Sequence, residues 1–358
     1  TPEWTLAWLG AYATDEQDSR DQGSLRVLAV SRGTVLIGLA LLARRRAGWR
    51  DWPARARLTF AADGSEDSDY LDLIARHGEE DAVVGTVMDA LAESRVRGEL
   101  LAWHEIPEDS PTLAALETRL DQDRWYCETQ PVPCAEIALP DNWDAYLKML
   151  KPRMRTKVRG LLKKADGDPA VCFERCRDAA DLDARLPSLF ALHQSRWTLR
   201  GREGIFADPA KRDFYARMSH AFLDRDWLRF YSLRVGGREV AHQFCFERGG
   251  VMFLLQEGFD KDWADRAVGN TLRALVLRDA IARGVGVYDF LAGVTPHKLS
   301  WGARTKASVR LLAAPPGLRA GVYFNSRRLG RWGKRHAKAV LIRTGLYTPP
   351  HGPARPGP

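Results

Sequence analysis

Apolar positions along this chain switch repeatedly between the three-and-four spacing of a helix and the runs or alternation of a strand. Glu3 to Ala13, carrying Trp4, Leu6, Trp8 and Leu9, reads as an opening helix. Two largely apolar stretches, Leu25–Val30 and Val35–Leu42, flank Ser31-Arg-Gly33-Thr and predict a hairpin covered on both faces. A helix follows over Glu79–Val96, with Val83, Val84, Val87, Met88 and Leu91 on its apolar side, and then a strand over Glu99–Ile106. Ser110 as N-cap and Pro111 at the first position start a helix that runs to Asp121.

The second half has the same logic. Helices over Asp181–Trp197 and Pro209–Asp224 precede strands Leu228–Val235, Arg238–Glu247 and Val251–Glu257, whose glycine turns predict an antiparallel meander. Helix Gly269–Arg283 and strand Val287–Leu291 complete a crossover, which pairs its strands in parallel. Asp141–Asp166 bridges the halves with a helical stripe of Leu147, Leu150, Met154, Val158, Leu161, Leu162 and Ala165. The expected fold class is α/β, with two tandem domains that each hold a central mixed sheet flanked by helices. Their expected bounds are 1–140 and 141–325, followed by a basic tail, 326–358. Beyond Phe324, and above all in the Pro/Gly-rich end from Pro349, composition predicts disorder.

Composition narrows the function. With 358 residues the chain exceeds one typical core. No window approaches 18 uninterrupted apolar residues, so no membrane-spanning helix is expected. Five cysteines, odd in number and without a C-x-x-C, predict reduced structural thiols, a cytoplasmic setting and no metal site. A net charge of +8 favours polyanionic partners: coenzyme A, nucleotide-linked donors, acyl carrier protein, anionic lipid or nucleic acid. One basic block, Lys148–Lys164, is either a phosphate contact or the solvated face of a packed helix. A second, Arg327–Lys338, carries Leu329 and Trp332 between its charges, as a helix lying at the inner face of a membrane would. No nucleic-acid-binding signature is present, so nucleic acid is not the expected partner.

Candidate chemistry concentrates between Arg266 and Lys298. Gly269-Asn270-Thr271 stands at a helix entrance, where backbone amides and the helix dipole favour an anion. Neither a GxGxxG nor a GK[ST] motif occurs there. Glu257, at a half-buried strand end, is the first choice for a proton acceptor. His242, among apolar neighbours, is the second choice or else a satisfied core residue. Cys245 has no partner histidine to make it a nucleophile.

Several of these segments together resemble a known family. They are Leu192-His193-Gln-Ser-Arg196-Trp197, Gly204-Ile-Phe206-Ala-Asp208, Leu228–Leu233, Gly237–Ala241, Gly258-Phe259-Asp260, Gly269, Asp289–Gly293 and His297-Lys298. Upstream, Ser68-Asp-Tyr70-Leu-Asp72 and Leu150–Lys157 add to them. The pattern resembles the BioF2-like (CelD/BcsL-type) branch of the GNAT acyltransferases, itself similar to FemABX peptidyltransferases. The resemblance implies tandem GNAT-like domains and an acyl-CoA (acetyl-CoA) or acyl-carrier-protein donor. Arg266, Gly269, Asn270 and Thr271 would hold the diphosphate, the thioester lying where strand Val251–Glu257 splays from strand Val287–Leu291. Lys298 would stabilise developing negative charge; a surface lysine is the alternative. His193, Arg196, Trp197, Asp289 and His297 would contact the acceptor, although His193 equally suits helix packing and Asp289 a loop cap. The family often has tyrosine where this chain has His297. The implied acceptor is an amine or hydroxyl of a sugar, nucleotide-sugar or polysaccharide precursor. Rival readings are a FemABX-type transferase using charged tRNA and a non-catalytic scaffold.

Overall fold

A computed structural model describes residues 1–12, 24–48, 51, 54–65, 67–93, 99–198, 201 and 203–343, and the side chains of 196–198, 331–335 and 337–343 lie outside that description. The first half comprises α1 (Pro2–Tyr12), β1 (Leu25–Arg32), β2 (Val35–Arg46), β3 (Ala56–Phe60), β4 (Ile74–Ala75), α2 (Glu80–Glu93), β5 (Glu99–Pro107), α3 (Pro111–Gln122) and β6 (Tyr126–Ala138). The second begins with α4 (Trp143–Met149), α5 (Pro152–Asp166), β7 (Val171–Arg175), α6 (Ala179–Thr198), α7 (Pro209–Asp224), β8 (Leu228–Val235), β9 (Arg238–Arg248) and β10 (Val251–Phe259). It ends with α8 (Val268–Ala282), β11 (Val287–Ala292), α9 (Pro296–Ser300), β12 (Arg304–Ala314) and α10 (Leu318–Arg343).

The class is the expected one, a mixed sheet flanked by helices, but the two half-sheets are fused. All the strands join in the order β1-β2-β3-β5-β12-β6-β11-β10-β9-β8-β7, with β4 on β2. Exchange makes the junction: β12 lies between β5 and β6, and β6 then pairs with β11. The meander β8–β9–β10 and the parallel crossover β10–α8–β11 form as their spacing predicts.

Three expectations change. The bridging segment is two helices, because Lys151 caps a new helix with Pro152 in its first turn and the α4 pattern cannot continue through it. The segment beyond Phe324 is helical to Arg343; the Pro/Gly-rich end expected to be disordered lies outside the described residues. Strand β6 escaped the pattern because Pro131 and Pro133 read as breakers. Both sit where β6 pairs with β12 alone, and the partner on its other edge begins only at Cys134↔Ala292, so no ladder bond is lost.

Each face of the second half has its own core. Helices α4, α5 and α8 cover one side, with Tyr146, Leu272, Val276 and Trp301 fully buried. Helices α6 and α7 cover the other, and there α1 joins them from the far end of the chain. The ring of Trp4 meets Phe214 edge-on at 5.0 Å. The indoles of Trp4 and Trp8 donate to Ser68 and Ser65 at 2.9 Å each, and the Tyr12 hydroxyl donates to Asp67 at 3.1 Å. The segment after β3 is thereby clasped against the second half.

β10 and β11 pair over three positions only, Val251–Phe253 with Val287–Asp289, and then part. Two irregularities force them apart. β10 slips register against β9 between Leu254 and Gln256, and β11 slips against β6 between Asp289 and Ala292. Within the second slip, Leu291 takes a left-handed φ of 59°, costly for a leucine unless its surroundings impose it. Asp289 imposes it. Its fully buried carboxylate accepts the Leu291 amide at 2.7 Å, the Tyr70 hydroxyl at 3.0 Å and the Lys306 ammonium at 2.8 Å. Replacing Asp289 by Ala leaves the Lys306 ammonium with Glu136 alone, takes the acceptor from the Tyr70 hydroxyl and the Leu291 amide and frees the bulge, so urea unfolding is expected to show a loss of about 3 kcal/mol. A loss under about 1 kcal/mol would show that packing alone sets the bulge.

Candidate functional site

The parted ends of β10 and β11 open into a trough of about 1200 Å³. Leu254–Phe259 and Phe290–Ala292 line its length. The N-terminal turn of α8 closes one end, and Asp63, Asp67, Asp69, His104, Glu105 and Arg310 wall the other.

At the α8 end, Ala267 occupies the cap position in a left-handed conformation, φ 54°, and no side chain caps the helix. The first helical amides have no acceptor within the helix, and their dipoles point at the trough. A Cβ at Gly269 would meet the Phe259 ring at 3.3 Å, so glycine lets the helix mouth close onto β10. Asn270 and His297 share a 3.1 Å bond across the rim. The Thr271 hydroxyl donates to the Ala267 carbonyl at 3.3 Å and stiffens the first turn from inside. Arg266 is exposed beside the mouth, its guanidinium 4.5 Å over the Trp263 ring.

Arg273, which pattern places on an ordinary helix, occupies the gap itself. It is 3% exposed, with its guanidinium over Phe290 at 5.2 Å and Trp301 at 5.5 Å. One terminal nitrogen donates to Glu257 and the other to His297 Nδ1 at 3.1 Å. Arginine can only donate, so Nδ1 is the acceptor, while Nε2 faces both Asn270 at 3.1 Å and the Trp301 indole N–H at 3.4 Å. Glu257 thus accepts from a buried guanidinium, and Gln243 adds a bond at 3.4 Å. Glu257, the first choice for a proton acceptor, is therefore paired with Arg273.

Two other expected participants have their polar atoms committed to the fold. His242 is 1% exposed, and its ring nitrogens each share 2.9 Å bonds with Ser232 and Ser188. Lys298 donates all three ammonium hydrogens to backbone carbonyls, Phe290 at 3.0 Å, Ala292 at 2.9 Å and Gly293 at 2.7 Å, stapling the end of β11. Burial pulls its pKa down, while Asp69 opposes the shift. Asp289 acts as the loop cap. His193, buried on α6, lines the trough below Gly258, where a Cβ would press within 3.1 Å of the His193 amide nitrogen. Arg196 and Trp197 follow on α6, their side chains outside the described residues. Burial pushes the Cys245 thiol far above its ordinary range, which keeps it inert. Among the described residues, no group of three or more His, Cys, Asp and Glu is placed to hold a metal ion.

Sequence reasoning passed over Asp69. Half-buried in the trough, it accepts the Ala292 amide. Burial first, then the Glu105 and Asp289 carboxylates, raise its pKa to about 7 against the pull of Lys298. The available signal was the acidic cluster around Tyr70 in a stretch with no clear period, where a site loop is expected.

Residues 152–299 match the family model of the Acetyltransferase (GNAT) domain. The second half carries a GNAT-like domain. No curated protein matches the chain by sequence. Among solved structures, FemX superposes with a TM-score of 0.61 at 11% identity, over 88% of this chain and 92% of that one. L-PGS from Bacillus licheniformis gives 0.53 at 13%, over 92% and 96%. The C-terminal domain of a putative lysylphosphatidylglycerol synthetase from Agrobacterium fabrum gives 0.52 at 13%, over 91% and 96%. At such identities the likeness is one of fold.

Asp69 has a thermodynamic signature. A carboxyl raised from the usual range to about 7 keeps its proton in the folded protein after the unfolded chain has lost it. Its contribution to stability is full below the unfolded pKa, near ~4, and declines as pH rises towards about 7. Replacing Asp69 by Asn should flatten that decline in urea midpoints measured across the window; an unchanged slope would assign it to other groups.

Proposed function

We propose that this protein is an acyltransferase whose donor rests its phosphates on the open first turn of α8. The acyl carbonyl then lies where β10 and β11 part, and Asp69 takes the proton from the acceptor. The observation that supports the reading is a single trough joining an uncapped helix mouth to a carboxyl whose pKa is raised to about 7. A general base with a pKa near the working pH combines a populated basic form with useful proton affinity. The acceptor nitrogen or oxygen attacks the carbonyl, giving a tetrahedral oxyanion. Collapse expels the donor's thiolate, and the acceptor's proton passes to Asp69. Acyl-CoA or an acyl-carrier-protein thioester is the donor in this reading. The acceptor is an amine or hydroxyl of a sugar, nucleotide-sugar or polysaccharide precursor, as the BioF2-like resemblance implies.

Arg273 favours a second reading. In the GNAT layout a pantetheine arm runs through the gap that the Arg273–Glu257 pair occupies here. A donor without that arm, the aminoacyl ester of a charged tRNA, leaves the pair undisturbed, and the Fem-like fold suits it.

Thermal unfolding against acyl-CoAs of graded chain length tests the first reading. A donor at a hundredfold excess over its Kd raises stability by about 2.7 kcal/mol. No stabilisation by any acyl-CoA, with turnover on aminoacyl-tRNA, selects the second reading; neither response leaves a non-catalytic scaffold.

The base assignment has its own test. Asp69 works ionised, so kcat/KM should climb with pH and level off above about 7. Asp69→Asn should lower kcat/KM by roughly a hundredfold or more and remove that inflection. Glu257→Gln, which strips Arg273 of its counter-charge, should lower the melting temperature and leave the inflection in place. An inflection lost in Glu257→Gln and kept in Asp69→Asn would return the role to Glu257.

A further inference from the structure

Helix α10 is anchored through one side. Tyr323 and Phe324 are buried, Phe324 stacks on Tyr126 at 5.7 Å, and Arg327 reaches Glu128 at 3.2 Å. The other side is left with apolar residues facing outward. Leu318, Val322 and Leu329 are 86%, 42% and 68% exposed, and their spacing of four and seven residues sets them in one stripe. Large aliphatic side chains in a row on a helix that already has its packing partner call for a second apolar environment.

Charge indicates which environment. From Leu318 to Arg343 the sequence holds eight Lys and Arg and no Asp or Glu. Arg319 and Arg328 are exposed near the stripe. Cations flanking an apolar stripe on a helix lying along the protein match a layered partner, with anions at its surface and hydrocarbon beneath. A nucleic acid would use the cations and leave the leucines in water. No helix among the described residues is long and apolar enough to cross a membrane, so this contact is peripheral.

We propose that α10 is a docking helix for an anionic bilayer surface, with Leu318, Val322 and Leu329 entering the headgroup–acyl boundary and the surrounding arginines meeting lipid phosphates. The full chain should cosediment with vesicles of phosphatidylcholine containing about one third phosphatidylglycerol, and not with phosphatidylcholine alone. High salt should weaken binding without abolishing it, because only the Coulombic part is screened. The double variant Leu318→Glu/Leu329→Glu should bind those vesicles at least roughly tenfold more weakly. Both positions are outside the packed side of the helix and neither lines the trough, so its melting temperature should match the parent's. A second variant, Arg319→Gln/Arg328→Gln, should lose affinity for the anionic vesicles and become less sensitive to salt. Three results would overturn the proposal: no cosedimentation with anionic vesicles, equal binding by the glutamate variant, or RNA binding that outcompetes the vesicles and ignores the leucine substitutions.

Discussion

A single buried carboxylate holds the arrangement together. Asp289 accepts hydrogen bonds or charge from three directions: its own strand through Leu291, the first half of the chain through Tyr70, and the exchanged strand β12 through Lys306. A carboxylate without exposure is tolerable only when its lone pairs are used, and here each use fixes something different. The amide bond keeps Leu291 left-handed and turns β11 away from β10. The tyrosine bond draws the segment carrying Asp69 against the end of β11. The lysine, 4.4 Å over the Tyr70 ring and 3.1 Å from Glu136, ties both to the sheet junction. The opening between the strands and the wall opposite it therefore share one cause.

Lys298 completes the device from the other side. Three carbonyls released where β11 leaves its ladder would be costly if left bare, and one ammonium satisfies all three. Its charge then lies near Asp69 and limits how far two neighbouring carboxylates raise that group. The residue is a staple whose field reaches the trough. Arg273 does the corresponding work at the helix end, where Glu257 neutralises it and His297 passes its orientation to Asn270 at the rim.

Most of the second half was legible in sequence because its elements are local. The meander, the crossover helix and its glycine entrance follow from spacing and turn residues within a few tens of positions. Ser110 and Pro111 likewise announced α3, and the hydroxyl of Ser110 does accept the Thr112 amide. Illegible were the features that depend on partners far along the chain. β6 carries two prolines and few long apolar runs; it is a strand because β12 arrives beside it more than 160 residues later. Glu257 reads as a half-buried strand-end acid, with nothing to show that α8 delivers Arg273 to it, and nothing near Lys298 in sequence shows that β11 bends its carbonyls towards it. The pattern shows which residues carry charge. It does not show which charges are already spent on one another.

That distinction bears on the carboxylates of the trough. Asp67 has Lys211 at 3.3 Å, Glu105 has Arg310 at 2.8 Å, Asp63 has His104 at 2.9 Å and Glu257 has Arg273. Each has a partner close at hand, although burial still raises the Asp67 carboxyl against the pull of Lys211. Asp69 instead meets a backbone amide, a distant share of Lys298 and two carboxylates that oppose its ionisation. In a chain of net charge +8, burial first and these two carboxylates second let Asp69 hold a proton near neutrality. The proposed base role draws on that proton affinity, and the fold produces it by burying a carboxyl beside two others with only an amide and the charge of Lys298 to offset them.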